Sequence, residues 1–395
     1  MSQNKYRPTL IAAFAGYIVQ AVVVNFAPLL FVTFQDSYGI SLSQLSFLIT
    51  LTFSIQLVGD ITLPRIIHRI GTRRCIVSAN VLAAVGLILL SFLPDLTPDP
   101  YAGILLAVVV YSLGASLIEV LISPIVEACP FENKSGVMSL LHSFYSWGSV
   151  LTILVTTVFF FLFGVKNWKY MSLLWAVVPV IDGILFLRAP LAELAGDEKG
   201  HETGIGTLLK KPLVWLLLLL MATAAAAELA VAQWASAFAE RGLGVSKTLG
   251  DLCGPLFFGV LMGLGRVFYA KFSDRLNLEK FMLTCGLLTV VSYLMVSLSP
   301  WPVVALIGCG LTGFGTGILW PGTLSIGSKR VPMGGTALFA LLACFGDLGC
   351  TLGPSVVGFV SDRLGGSLEN GILLATVFPV IFVVGVLTLM RKKSR

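Results

Sequence analysis

The sequence predicts an all-α, polytopic membrane protein: twelve transmembrane helices in two pseudo-symmetric six-helix bundles. Composition, run length and charge placement carry that reading. Of 395 residues, 56% are hydrophobic and only 12% charged, with a mean hydropathy of +0.93, whereas a soluble domain needs about 25% charged residues to cover its surface. The apolar runs extend over roughly 20 residues or more, enough for a helix to cross the hydrocarbon, and lack the ten-residue alternation of barrel strands. With both termini placed inside, all but a few of the 26 Lys and Arg fall on the cytoplasmic side, as the positive-inside rule requires.

Polar breaks set the spans at about 8–34, 41–63, 73–94, 101–128, 135–163, 168–189, 212–240, 248–272, 277–298, 301–328, 333–361 and 367–390. The first is too long for a signal-peptide core and has no convincing cleavage site, so it counts as a span. Only Lys166, Lys169, Arg241, Lys247 and Arg363 fall outside, and Arg266 lies near the inner end of span eight. The longest polar stretch, 190–211, separates six spans from six and reads as a cytoplasmic linker between bundles 1–189 and 212–395. The basic C-terminal run Arg391–Arg395 follows span twelve directly and fixes topology; it is no nucleic-acid site. The seven cysteines form no CxxC pair and are expected to be free thiols, without disulfide or metal.

Five acids lie inside apolar spans: Asp60, Glu119, Asp182, Glu228 and Asp347. A carboxylate at membrane depth costs a few kcal/mol, so such residues usually face a cavity or pathway. Burial disfavours a bare carboxylate, and a lone buried Glu can carry a proton and release it when hydrated or paired. Glu119 and Asp347 are therefore the candidate proton-coupling residues. Asp347 is flanked by Gly346 and Gly349, which allow close helix approach. Glu228, Gln233 and Trp234 in span seven offer a carboxylate, an amide and an indole for a hydroxylated ligand. His142, the one histidine within a span, joins Gln20, Asn25, Gln56 and Tyr145 as polar cavity candidates. Glycines 308, 310, 313, 315 and 317 in span ten are expected to permit close packing and bending.

The second-to-third helix junctions of the two halves share a pattern. Pro64-Arg-Ile-Ile-His68-Arg69-Ile-Gly71-Thr-Arg73-Arg74 is echoed by Ala270-Lys-Phe-Ser-Asp274-Arg275-Leu-Asn277-Leu-Glu279-Lys280, and Gly358-Phe-Val-Ser-Asp362-Arg363-Leu-Gly365 follows span eleven. Internal duplication of this kind is a transporter feature. These junctions resemble the signature loop of the major facilitator superfamily, G-x-x-x-D-R-x-G-R-R/K, with His68 and Asn277 as departures. The resemblance implies the major facilitator fold and a functional monomer. It further implies that the third and sixth helices of each half are peripheral, so Asp182 in span six is expected to serve packing. Asp60 and Arg266, at pseudo-equivalent positions toward the inner ends of spans two and eight, suggest a cytoplasmic gate, and Arg69, Asp274 and Arg275 of the junctions are further candidate gating residues.

A narrower resemblance lies in spans four and five. Gly114-Ala-Ser-Leu-Ile-Glu119-Val-Leu-Ile-Ser123-Pro124, followed by Met138-Ser-Leu-Leu-His142-Ser-Phe144-Tyr-Ser-Trp147-Gly148, resembles the fucose–galactose–glucose:proton symporter family. Glu119 falls on that family's span-four glutamate, implicated there in proton coupling and sugar binding. Glu228 to Trp234, Trp320-Pro321 and Pro332 also fit the family's pattern, and add Trp320 to the ligand candidates. Ser123 stands where the family has Asn, and span one lacks the family's acid.

The expected function is secondary active transport by alternating access, with proton-coupled uptake of a monosaccharide or similar small polar solute across a cell (inner) membrane. An exporter or antiporter of amphipathic compounds is the alternative within transport. A transport-inactive receptor is the alternative outside it. No GxxxxGK[ST], HExxH or GxSxG motif is present, so neither ATP drive nor enzyme chemistry is expected, and no cofactor beyond a proton gradient.

Overall fold

The computed structural model describes residues 5–131, 134–192, 205–272, 276–331 and 335–391, with side chains throughout except at 64–66, 68, 134–136, 138–139, 270 and 335–337. Every regular element among them is helical. Twelve helices are long and apolar enough to cross a membrane: α1 Arg7–Tyr38, α2 Leu42–Leu63, α3 Thr72–Leu96, α4 Pro100–Glu127, α5 Leu140–Phe163, α6 Val165–Arg188, α7 Pro212–Gly242, α8 Lys247–Tyr269, α9 Leu278–Leu298, α10 Pro302–Arg330, α11 Leu338–Arg363 and α12 Leu368–Arg391.

Local chemistry sets the helix ends. Pro100, Pro212 and Pro302 open α4, α7 and α10 at the first helical position, where a missing N–H costs nothing. Asp99 caps α4 through Tyr101 N at 3.0 Å, and Ser367 caps α12 through Asn370 N. Gly39 and Gly71 turn the chain after α1 and α2 with φ of 66° and 96°, a region that side chains other than glycine rarely adopt. At the second junction Asn277 stands where the signature has glycine. It makes no left-handed turn (φ −73°) and instead caps α9, accepting from Lys280 N at 3.0 Å. The departure exchanges one connection chemistry for another.

Prolines also break helices from within. Pro28 splits α1 into Arg7–Asn25, a 3₁₀ turn at Ala27–Leu30 and a final segment Phe31–Tyr38, which carries the helix past the expected end at 34. Pro321 splits α10 at Gly317–Ile318. Pro321 has no N–H for the carbonyl four residues earlier, and that carbonyl, Gly317 O, accepts from Arg266 Nε of α8 at 3.1 Å.

The chain divides into two compact units, Met1–Ile40 with Leu51–Glu198 and Ser41–Thr50 with Lys199–Arg395. More than half of the expected linker falls outside the described residues. Inside the first unit, Arg73 of the junction signature donates to Phe186 O, Leu187 O and Ala189 O at 2.6–2.8 Å. It thereby satisfies carbonyls orphaned at the C-terminus of α6. Inside the second, the α10 glycines face two ways. A Cβ on Gly313 or Gly317 would lie 2.2 or 2.9 Å from backbone oxygens of α8, and one on Gly308 2.9 Å from Ser292 O of α9. Close packing of α10, expected from its glycines, is what they provide. Cys75, Cys129, Cys285, Cys309 and Cys350 are buried, Cys253 and Cys344 half-buried, and all are free thiols.

Candidate functional site

The first unit gathers a polar cluster on α1. Tyr17 and Gln20 are one helical turn apart and so share a face. Gln20 Nε2 donates to Glu119 Oε2 of α4 at 3.1 Å. The Tyr17 hydroxyl lies 3.1 Å from Ser123 Oγ of α4 and 3.2 Å from His142 Nδ1 of α5. Farther along, Asn25 donates to Ser149 Oγ of α5 at 3.0 Å. Small residues allow this convergence: a Cβ on Gly148 would sit 2.9 Å from Ala21 Cβ, so α5 lies directly against α1. Stacked Phe14 and Phe144 rings, 4.1 Å apart, brace the same contact.

Glu119 is half-buried, and Asp60 of α2 is a like-charged neighbour in the same unit. Gly59, beside Asp60, meets Ser116 of α4 so closely that a Cβ would lie 1.8 Å from its Oγ. Gln56 is 2% exposed, and its Nε2 has no hydrogen-bond partner among the described residues. Tyr145 is half-buried and His142 and Arg69 are exposed. Asp182 is fully buried, with Gly16 of α1 against its Oδ2.

In the second unit the named residues are dispersed. Glu228 of α7 is half-buried, with Arg266 of α8 as its charged neighbour; Arg266 also closes the break that Pro321 makes in α10. The Trp320 ring lies against Gly346, where a Cβ would sit 2.1 Å from Cη2, next to Asp347, which is 6% exposed. Gln233 and Trp234 were expected to join Glu228 as ligand groups. Instead Trp234 is fully buried, donates from Nε1 to Pro354 O at 3.0 Å, and packs against Gly358. Its indole fills the interior because the small residue on α11 leaves room for it. Gln233 is 3% exposed. Asp274 and Arg275 lie outside the described residues.

Tyr17, Ser123 and Ser149 complete the first-unit cluster, and the first and last were not anticipated. For Tyr17 the available signal was its position one turn before Gln20. Replacing it with phenylalanine removes both hydroxyl contacts while keeping the ring. Transport in vesicles is expected to fall about tenfold at unchanged protein level, since each such buried bond contributes about 1 kcal/mol. Wild-type rates in Tyr17→Phe would remove the cluster from the working site. Among the described residues no group of three or more His, Cys, Asp or Glu could hold a metal ion.

The arrangement can hold polar groups and a proton. Comparison with known proteins agrees with a carrier. The model of the Major Facilitator Superfamily matches residues 9–354 and 255–395. An MFS-type transporter of Yersinia pestis is 25% identical over 318 residues, covering 78% of each chain. Two crystal structures of a bacterial homolog to the human lysosomal transporter Spinster, both inward-facing, one occupied and one unoccupied, share the fold. Their TM-scores are 0.76 and 0.75 at 15% identity, covering 98% and 97% of this chain and 97% of theirs. The chain belongs to the Major Facilitator Superfamily, and is a multi-pass membrane transporter, not an enzyme.

Proposed function

We propose that this transporter couples uptake of a monosaccharide or similar small polar solute to protons by alternating access, with Glu119 as the proton carrier. Both termini are cytoplasmic in this reading, on the distribution of Lys and Arg, and the two bundles at 1–189 and 212–395 are its working halves. The observation that carries it is the state of Gln20. One edge of its amide donates to Glu119, while the other, Oε1, is buried with no hydrogen-bond partner among the described residues.

An amide in that position reads the protonation state of the acid. A carboxylate accepts from Nε2 and leaves Oε1 to accept from a ligand hydroxyl. A protonated Glu119 donates to Oε1 instead, and the amide turns over to present its N–H₂. The proton on Glu119 thus exchanges an acceptor for a donor at the ligand-facing edge, which is a coupling device made of one rotation. Tyr17, Ser123, His142 and Asn25 add donors and acceptors alongside. The likeness of Glu119 and its span-four surroundings, and of Leu140, Phe144 and Gly148 in span five, to the fucose–galactose–glucose:proton symporter motifs supports a sugar as the solute.

The test is proton movement on adding hexoses and deoxyhexoses to oriented vesicles, wild type against Glu119→Gln. One sugar is expected to alkalinise the medium with wild type. The variant loses that signal by at least tenfold yet still exchanges the sugar. No sugar-dependent signal from well-folded protein would overturn the reading and point to another solute or ion.

A further inference from the structure

The second unit holds a cavity that the transport reading does not use. It is an open cleft of about 410 Å³ between the end of α8, the start of α9 and the end of α10, lined by Tyr269, Asn277, Glu279, Ile326, Lys329 and Arg330 among others. That volume falls within the range of small-ligand sites. Its cationic side comes from the last turn of α10, whose Lys329 and Arg330 both line it.

The two cations are held differently. Arg330 is fixed: its guanidinium donates to Leu389 O at 3.2 Å and to Glu279 Oε1 at 2.7 Å, with only 19% of its side chain exposed. Glu279 therefore has its charge matched by Arg330. Lys329 is exposed, and among the described residues its ammonium makes no hydrogen bond or ion pair. Tyr269 is held by stacking on Phe281 at 5.3 Å between centroids, and its hydroxyl likewise has no partner among the described residues. The cavity thus presents a free ammonium and a free phenol beside an anchored guanidinium, over an apolar wall that includes Ile326.

We propose that this cavity binds a phosphate-bearing anion, either the phosphodiester of an anionic lipid or free phosphate. A compact anion with several acceptor oxygens satisfies the ammonium and phenol together. Basic pockets between membrane helices are suited to lipid headgroups, which also bring an apolar portion to meet the wall. The cavity lies beside the start of α9, so occupancy would brace that end of α9 against α10.

The experiment titrates the purified full chain in neutral detergent with dioctanoyl phosphatidylglycerol, dioctanoyl phosphatidylcholine and inorganic phosphate, counting bound molecules by native mass spectrometry. One phosphatidylglycerol is expected to bind more tightly than the others. Lys329→Gln should weaken that one about fivefold, the contribution of one lysine near an anionic headgroup, and Tyr269→Phe should weaken it as well. Both positions are peripheral, and an unchanged melting temperature shows that the variants are folded. Failure of millimolar phosphate to displace the lipid identifies the headgroup as ligand, whereas displacement identifies free phosphate. If wild type and both variants bind phosphatidylglycerol alike and none binds phosphate, the proposal is overturned.

Discussion

Replacing Gly349 with valine is expected to prevent the second unit from assembling. A Cβ at Gly349 would lie 2.0 Å from Ala222 O, and one at Gly353 2.3 Å from Ala226 O. Both obstacles are backbone carbonyls of α7, which cannot swing aside as a side chain can. The two helices would have to separate along the alanine run Ala224–Ala227, every residue of which is 0–1% exposed. Without a hydrophobic driving force between helices in lipid, such contacts hold mainly by close van der Waals packing. Separation should therefore cost about 3 kcal/mol or more. The measurement is the yield and melting temperature of monodisperse protein in detergent. Gly263→Ala is the control: nothing lies within 4 Å of a Cβ there, so a change within about 0.5 kcal/mol is expected. A Gly349→Val protein that elutes and melts like wild type would show that α7 and α11 do not pack this way.

The second large effect concerns Arg266. Its removal as Arg266→Met leaves Gly317 O without the donor that replaces the missing N–H of Pro321, an orphaned buried carbonyl worth about 1–3 kcal/mol. It also strips Glu228 of its charged neighbour. Pro321→Ala restores a backbone N–H to α10. In the Arg266→Met background it should recover roughly half of the lost stability, the remainder belonging to Glu228. A double-mutant cycle on melting temperature measures this directly. Strict additivity of the two substitutions would break the proposed link between the proline and the arginine.

Much of the architecture was legible because the bilayer imposes a coarse rule: long apolar runs are helices. Twelve such runs were expected, and twelve helices of sufficient length and hydropathy are present among the described residues. The ends were less legible. At Pro28 and Pro321 a helix could have stopped or bent, and in both cases it continues: a short 3₁₀ turn carries the chain past Pro28, and Arg266 takes over the carbonyl freed at Pro321. The candidate site was legible where rare residues occur. Glu119, Gln20, Asn25 and His142 stand out in an apolar chain, and they lie in one bundle around α1. Hydroxyls do not stand out. Among the described residues, Thr152, Thr312 and Thr323 bond only to their own helix, four residues back, the default for such side chains, whereas Tyr17 and Ser123 meet across helices and Ser149, which also donates to Tyr145 O of its own helix, accepts from Asn25 as well. Nothing in the local sequence separates the two kinds. Trp234 reads from sequence as an amphipathic ligand group, and its burial depends on Gly358, more than a hundred residues away.

The free thiols give the chain a built-in chemical reporter. Cys344 sits three residues before Asp347 on α11, so the two share a helical face, and Cys344 is one of the two half-buried thiols. Its alkylation rate by a water-borne maleimide therefore records how often water reaches the surroundings of Asp347. Five of the remaining cysteines are shielded in the interior, which leaves Cys253 as the main competing background. Substituting Cys253 alone yields a nearly native protein in which hydration near the acid is timed by covalent chemistry.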